Sequence, residues 1–179
     1  QFARPASVKS SGGSTLTIRA DHSVLASGTN PDKDNYDVTF KPASGRITAF
    51  RLEALTHPSL TAKSLSRANG NFVLTHVEAE LRTTSQAEPV KLEIGLAEAD
   101  FEQKNHPVKL AIDNDPATGW AVQGWERKHD NRAIFTFKNP LDIQEGGELL
   151  IRLKHESVHA KHSIGRFRIA FTAVDKPGF

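Results

Sequence analysis

The chain has 179 residues, with 23 Lys+Arg against 21 Asp+Glu, 37% hydrophobic residues and 25% charged. That is the composition of a globular domain, long enough to bury roughly 70% of its unfolded surface, and it excludes disorder, collagen, coiled coil and, with no cysteine, a disulfide scaffold, thiol nucleophile, zinc finger or iron–sulfur cluster. The formal charge of +2 carries no Lys/Arg run of five and no aromatic-studded RNA-binding motif, so nucleic acid is not implied, and no stretch approaches the roughly 18 apolar residues of a membrane helix.

Period-two alternation runs along the chain. Residues 15–19, 36–40 and 47–54 read as strands. Val73, Val77, Ala79 and Leu81 oppose His76, Glu78 and Glu80, and Val90, Leu92, Ile94 and Leu96 alternate with Lys91, Glu93 and Gly95 as one half-buried strand. Residues 133–137 follow. Leu149, Ile151 and Leu153 then oppose Arg152 and Lys154, and Phe167, Ile169 and Phe171 oppose Arg168 and Ala170. Only residues 107–113, with Val108, Ala111 and Ile112 near helical spacing, suggest a helical turn.

Turn formers separate these runs: Ser11-Gly12-Gly13, Asn30-Pro31-Asp32, Asn69-Gly70-Asn71, Asn139-Pro140 and Gly146-Gly147. About eight short strands with such turns predict an all-β fold, an antiparallel β-sandwich or barrel. Without a linker or repeat, residues 1–179 read as a single domain whose first ten residues form a loose leading segment. Methionine is absent, which predicts preceding sequence and further domains of a longer parent chain.

Three stretches bear on chemistry. Asp113-Asn114-Asp115-Pro116-Ala117-Thr118 offers two carboxylates, a hydroxyl and loop carbonyls, oxygen donors that suit Ca²⁺; the same residues can instead close Asx turns around Pro116. Asp32, Asp34 and Asp37 have similar spacing and read as a solvated loop. His155-Glu156-Ser157-Val158-His159 spells the H-E-x-x-H of zinc hydrolases, but that chemistry needs both imidazoles on one long helix. Here the string lies between two predicted strands. A solvated basic hairpin loop containing His155, His159 and His162 is the better reading, and no enzymatic activity is expected.

Trp120 reads as a half-buried packing residue. Trp125 sits in a polar loop with Glu126, Arg127, Lys128, His129 and Arg132. An exposed indole there can stack on the C–H face of a sugar ring while Arg127, His129 and Arg132 donate to hydroxyls or acidic groups; the indole can equally fold back on the sandwich edge.

The run Ala-Ile-Asp-Asn-Asp-Pro-Ala-Thr-Gly-Trp at 111–120 resembles the A-x-D-G-D-x-x-T-x-W signature of discoidin-type, galactose-binding-like sandwiches, with Asn114 in place of Gly. Ser-Val-Leu-Ala-Ser-Gly at 23–28, Ile-Thr-Ala-Phe-Arg-Leu-Glu-Ala-Leu at 47–55, Arg-Ala-Asn-Gly-Asn-Phe-Val-Leu at 67–74 and His-Ser-Ile-Gly-Arg-Phe-Arg at 162–168 resemble a domain of large exported planctomycete proteins with cytochrome c-type segments. The resemblance spans residues 14–172. It implies a jelly-roll sandwich, an exported location (periplasmic, cell-surface or secreted), a non-catalytic carbohydrate-binding role and a structural Ca²⁺ on Asp113, Asp115 and Thr118. Sugar ligands do not transfer by motif, so Trp125, Arg127, His129 and Arg132 rest on the physical argument, which also suggests an acidic or sulfated polysaccharide or oligosaccharide. The alternative is a protein-interaction or assembly domain without a sugar site. Arg51, Glu53, Arg166 and Arg168 read as scaffold residues.

Overall fold

A computed structural model describes residues 2–179. Two antiparallel sheets pack face to face as an all-β sandwich. In chain order the strands are β1 (Ser7–Ser10), β2 (Ser14–Ile18), β3 (Val24–Gly28), β4 (Asp34–Phe40), β5 (Gly45–Ala54), β6 (His76–Arg82), β7 (Val90–Leu92), β8 (Ile94–Ala99), β9 (Asn131–Ile143), β10 (Glu148–His155) and β11 (Arg166–Thr172). One sheet runs β1-β4-β10-β6-β7 and the other β2-β3-β11-β5-β9-β8. No helix among the described residues is long and apolar enough to cross a membrane.

The alternation in the sequence sets which face each strand buries. Tyr36, Val38 and Phe40 of β4, Val77 and Ala79 of β6, and Leu149, Ile151 and Leu153 of β10 point inward from the five-stranded sheet. Phe50 and Leu52 of β5, Phe135 and Phe137 of β9, and Phe167 and Ile169 of β11 meet them from the other sheet. Tyr36 stacks on Phe167 at 5.7 Å and Phe40 meets Phe171 edge-on at 5.0 Å, so aromatic pairs tie the sheets together. Each such ring contributes about 1.5–3 kcal/mol by leaving water.

Several elements depart from the sequence reading. Val90 to Leu96 is not one strand: the chain changes sheets at Glu93, so that β7 pairs with β6 and β8 with β9. A register shift between Ile94 and Leu96 then turns Ala97 inward and leaves Leu96 exposed. Gly95 sits in that shift, where a Cβ would stand 3.2 Å from the Cα of Lys138 on β9 and crowd it. Asn139-Pro140 forms no inter-strand turn; it lies in a bulged part of β9, where Leu141 pairs with Ile47 and Thr136 with Ala49. Proline lacks the amide that a ladder requires, and the bulge spares it that role. Residues 7–10 form β1 against β4, and Phe2 bridges to Ala170, so much of the leading segment is held to the sandwich.

Two polar loops are also corrected. Asp34 is 1% exposed, not solvated. It accepts from the Ser10 hydroxyl at 2.6 Å, the Gly12 amide at 2.9 Å and the Ser14 hydroxyl, closing the β1–β2 turn. Asp37 pairs with Arg152 at 2.6 Å, and Arg152 also reaches Glu78 at 2.8 Å on the outer face of the five-stranded sheet. The segment between β10 and β11 is no hairpin either, since these strands belong to different sheets.

Candidate functional site at the Trp125 end

The loops around Trp125 are built on Asn71. This buried side chain accepts from the amides of Val122 at 3.3 Å and Gly124 at 2.9 Å through Oδ1, while Nδ2 donates to Gln103 Oε1 at 3.0 Å. Gln103 Oε1 in turn accepts from the Gln123 amide at 3.0 Å, and the Ser64 hydroxyl donates to the Gly124 carbonyl at 2.6 Å. Position 124 must be glycine, because a Cβ would overlap the Gly70 carbonyl. The Asn69-Gly70-Asn71 turn is therefore the seat on which the Trp125 loop rests.

From that seat the chain makes one helical turn, α1 (Gly124–Arg127). Gln123 at φ 53° and Lys128 at φ 49° stand in the left-handed region at its two ends, which confines the helix to four residues. The Trp125 indole is 42% exposed. It does not fold back fully onto the sandwich edge. Trp120 differs: it is completely buried, edge-on to Phe72 at 5.1 Å, with Nε1 donating to the Phe101 carbonyl at 3.0 Å.

The other predicted ligand residues are placed as follows. Arg127 lies over the Phe101 ring, its guanidinium carbon 3.4 Å from the centroid. His129 is exposed, and its carbonyl accepts from Asn131 Nδ2 at 2.6 Å. Arg132 is the second residue of β9, where its amide donates to Asp100 Oδ1 at 2.9 Å and its Nε stands 3.8 Å from Glu53 Oε1. Arg127 and Arg132 thus flank the Asp100-Phe101 pair, one on the ring and the other on the carboxylate. Phe101 was not foreseen, although an aromatic residue directly after a strand and before a polar loop is a signal that could have drawn attention to it.

Asp113, Asp115 and Thr118 are brought together. Asp113 accepts from the Asp115 amide at 2.9 Å and from the Thr118 hydroxyl at 2.8 Å, and Asp115 accepts from the Ala117 amide at 2.9 Å. Asn114 takes φ 64°, the left-handed conformation that asparagine tolerates better than most residues. The turn thereby closes with its own bonds. No third His, Cys, Asp or Glu joins these carboxylates among the described residues, whereas Ca²⁺ takes six to eight oxygens.

The H-E-x-x-H string starts on the last residue of β10. His155 is 3% exposed and its ring is held between two backbone groups: Nδ1 lies 3.0 Å from the Asp34 carbonyl and Nε2 accepts from the Ile164 amide at 3.4 Å. That pairing fixes the neutral tautomer with the proton on Nδ1. Burial pushes its pKa down to about 4, against weaker opposing effects of the Asp34 carbonyl and the Asp34 and Glu156 charges. His155 is therefore a core residue, not part of a solvated loop. His159 and His162 do come together outside, their rings 5.5 Å apart.

Comparison of the chain with protein-family models, with curated proteins and with solved structures finds no match in any of the three.

Proposed function

We propose that the protein is a non-catalytic carbohydrate-binding module on a galactose-binding-like, jelly-roll form of the β-sandwich, acting in an exported protein on acidic or sulfated polysaccharide. The observation that carries this reading is Trp125: a half-exposed indole on a four-residue helix whose backbone is fastened by Asn71 and Ser64. A loop backbone held this way presents the indole to a sugar ring without first being ordered, which lowers the entropic cost of binding. Lys128 and His129 are exposed beside it and supply the donors to hydroxyl or anionic groups.

Calcium on Asp113, Asp115 and Thr118 is a proposal of the same reading, as an accessory to loop stability. The function is tested by probing a glycan array, with and without calcium, with wild type and Trp125→Ala. The reading expects retention on acidic glycans that Trp125→Ala loses. Equal retention of both proteins, or none of the wild type, contradicts it; binding to a protein surface instead supports an assembly domain.

A further inference from the structure

A second site stands on the outer face of the six-stranded sheet. Arg168, Glu53 and Arg132 form one row across β11, β5 and β9, and Ala170, Arg51 and Ile134 form the next row on the same face. Glu53 is 4% exposed. Its carboxylate meets Arg168 Nε at 2.7 Å, Arg51 Nη2 at 3.0 Å and Arg132 Nε at 3.8 Å. The Phe2 ring packs under Arg168 at 3.7 Å and Arg51 at 5.4 Å.

Three guanidiniums surround the one Glu53 carboxylate, and Glu98, opposite Ile134 on β8, ends the second row on the same face. If neutralising Glu53 were the only requirement, the short contact with Arg168 would meet it. Among the described residues Arg51 has no hydrogen-bond partner for its buried Nε, a costly state for a charged donor. It also lines a cleft of about 300 Å³ together with Ile134, Ala170, Thr172, Val174 and Lys176. Thus two cations and a hydroxyl border an apolar floor, and no lining residue carries a side-chain carboxylate. The neighbouring Asp175 is turned away, pairing with Arg46 at 2.5 Å.

We propose that this cleft binds a small organic carboxylate whose apolar face lies on Ile134 and Ala170 while its anionic group meets Arg51 and Lys176. A cleft of this volume is at the small end of ligand sites, suited to one ring. Arg51 Nη2 is held by Glu53 and its Nε is buried, so the anion takes single charge-assisted hydrogen bonds from Arg51 Nη1 and from the Lys176 ammonium, which give it preference over a neutral ring. The same chemistry is offered by a sugar acid and by an aromatic acid. The site is separate from the Trp125 loop and stands whether or not that loop binds sugar.

The test is an NMR titration of the whole chain with D-glucuronate, benzoate and, as the neutral control, glucose. The expected result is saturable movement of the Ala170 and Thr172 amides with at least one of the carboxylates, weakened by added salt. Tighter binding of glucuronate identifies a sugar-acid source, and tighter binding of benzoate an apolar acid. Arg51→Gln and Lys176→Gln should each weaken binding by about tenfold, whereas Trp125→Ala should leave it unchanged. Lys176 is exposed on the tail, so its variant decides the question if Arg51→Gln fails to fold. Glucose binding as tightly as the carboxylates, no movement at the cleft, or full affinity in the folded variants would overturn the proposal.

Discussion

Asn71 and Gly124, 53 positions apart, are joined by a 2.9 Å hydrogen bond from the Gly124 amide to the Asn71 side chain. The same oxygen accepts from Val122, so one side chain holds both residues that lead into the Trp125 helix. Asn71→Ala removes the acceptor from two buried amides, each worth about 1–3 kcal/mol when left unpaired. The expected loss of stability is about 2–4 kcal/mol, read from denaturant unfolding, with Trp125 fluorescence becoming more accessible to a quencher in the folded state. An unchanged unfolding midpoint and quenching would show that the loop is held by other means.

His155 gives the fold a pH dependence of known sign. Its imidazole ionises near 6.5 when unfolded and only at about 4 in the core. Between those values the unfolded chain carries more protons, so stability is fully present above pH 6.5 and is lost as pH falls toward 4. The loss reaches about 3 kcal/mol. Thermal melts across this range check the magnitude, and NMR of the ring checks the cause: the His155 signals should remain those of the neutral Nδ1–H tautomer at pH 5. Titration near pH 6.5 would contradict the burial argument. Replacing His155 by Ala should destabilise the fold by about 2–5 kcal/mol through the cavity and the unpaired Ile164 amide.

The contrast between His155 and Trp125 shows what the sequence could reveal. Local period gave the inward faces of β6, β10 and β11, because a strand with one buried face must alternate, whereas residues 36–40, 47–54 and 133–137 were legible only as strands. It did not give the crossing at Glu93, since alternation looks the same whether the partner strand lies in one sheet or the other. Nor did it give the burial of Asp34 and His155: polar residues predict solvent locally, and the partners that allow burial come from other segments, the Ser10 and Ser14 hydroxyls and the Gly12 amide for one and the Asp34 carbonyl and Ile164 amide for the other. The Asp113 turn was legible as one of two readings, because its bonds run between neighbours; for Trp125 the sequence left exposure and folding back equally open, since the loop that presents it is seated on the distant Asn71 and Ser64. The Glu53 cluster was legible only as scaffold residues; the meeting of three arginines on one carboxylate depends on the order β11-β5-β9.

Calcium is tested through the stability of the Asp113 loop. If the ion binds only the folded chain, saturation at about 100 times its dissociation constant raises stability by about 2.7 kcal/mol. Melting curves in calcium and in EDTA should then separate, and Asp115→Asn should bring them together. Coincident wild-type curves would leave the loop as Asx turns closed by the Asp115 and Ala117 amides.

The measurement that bears most directly on function is isothermal titration of wild type and Trp125→Ala with neutral and sulfated or uronic-acid oligosaccharides. The indole needs only to lie against the ring's C–H groups, and its loss should weaken binding by about 1–3 kcal/mol, roughly fivefold to 150-fold. The account predicts tighter binding of the acidic oligosaccharide, weakened by salt, with Trp125→Ala losing most of the affinity while keeping the wild-type melting temperature. Wild-type affinity in a folded Trp125→Ala protein, or no heat from any oligosaccharide, would contradict it.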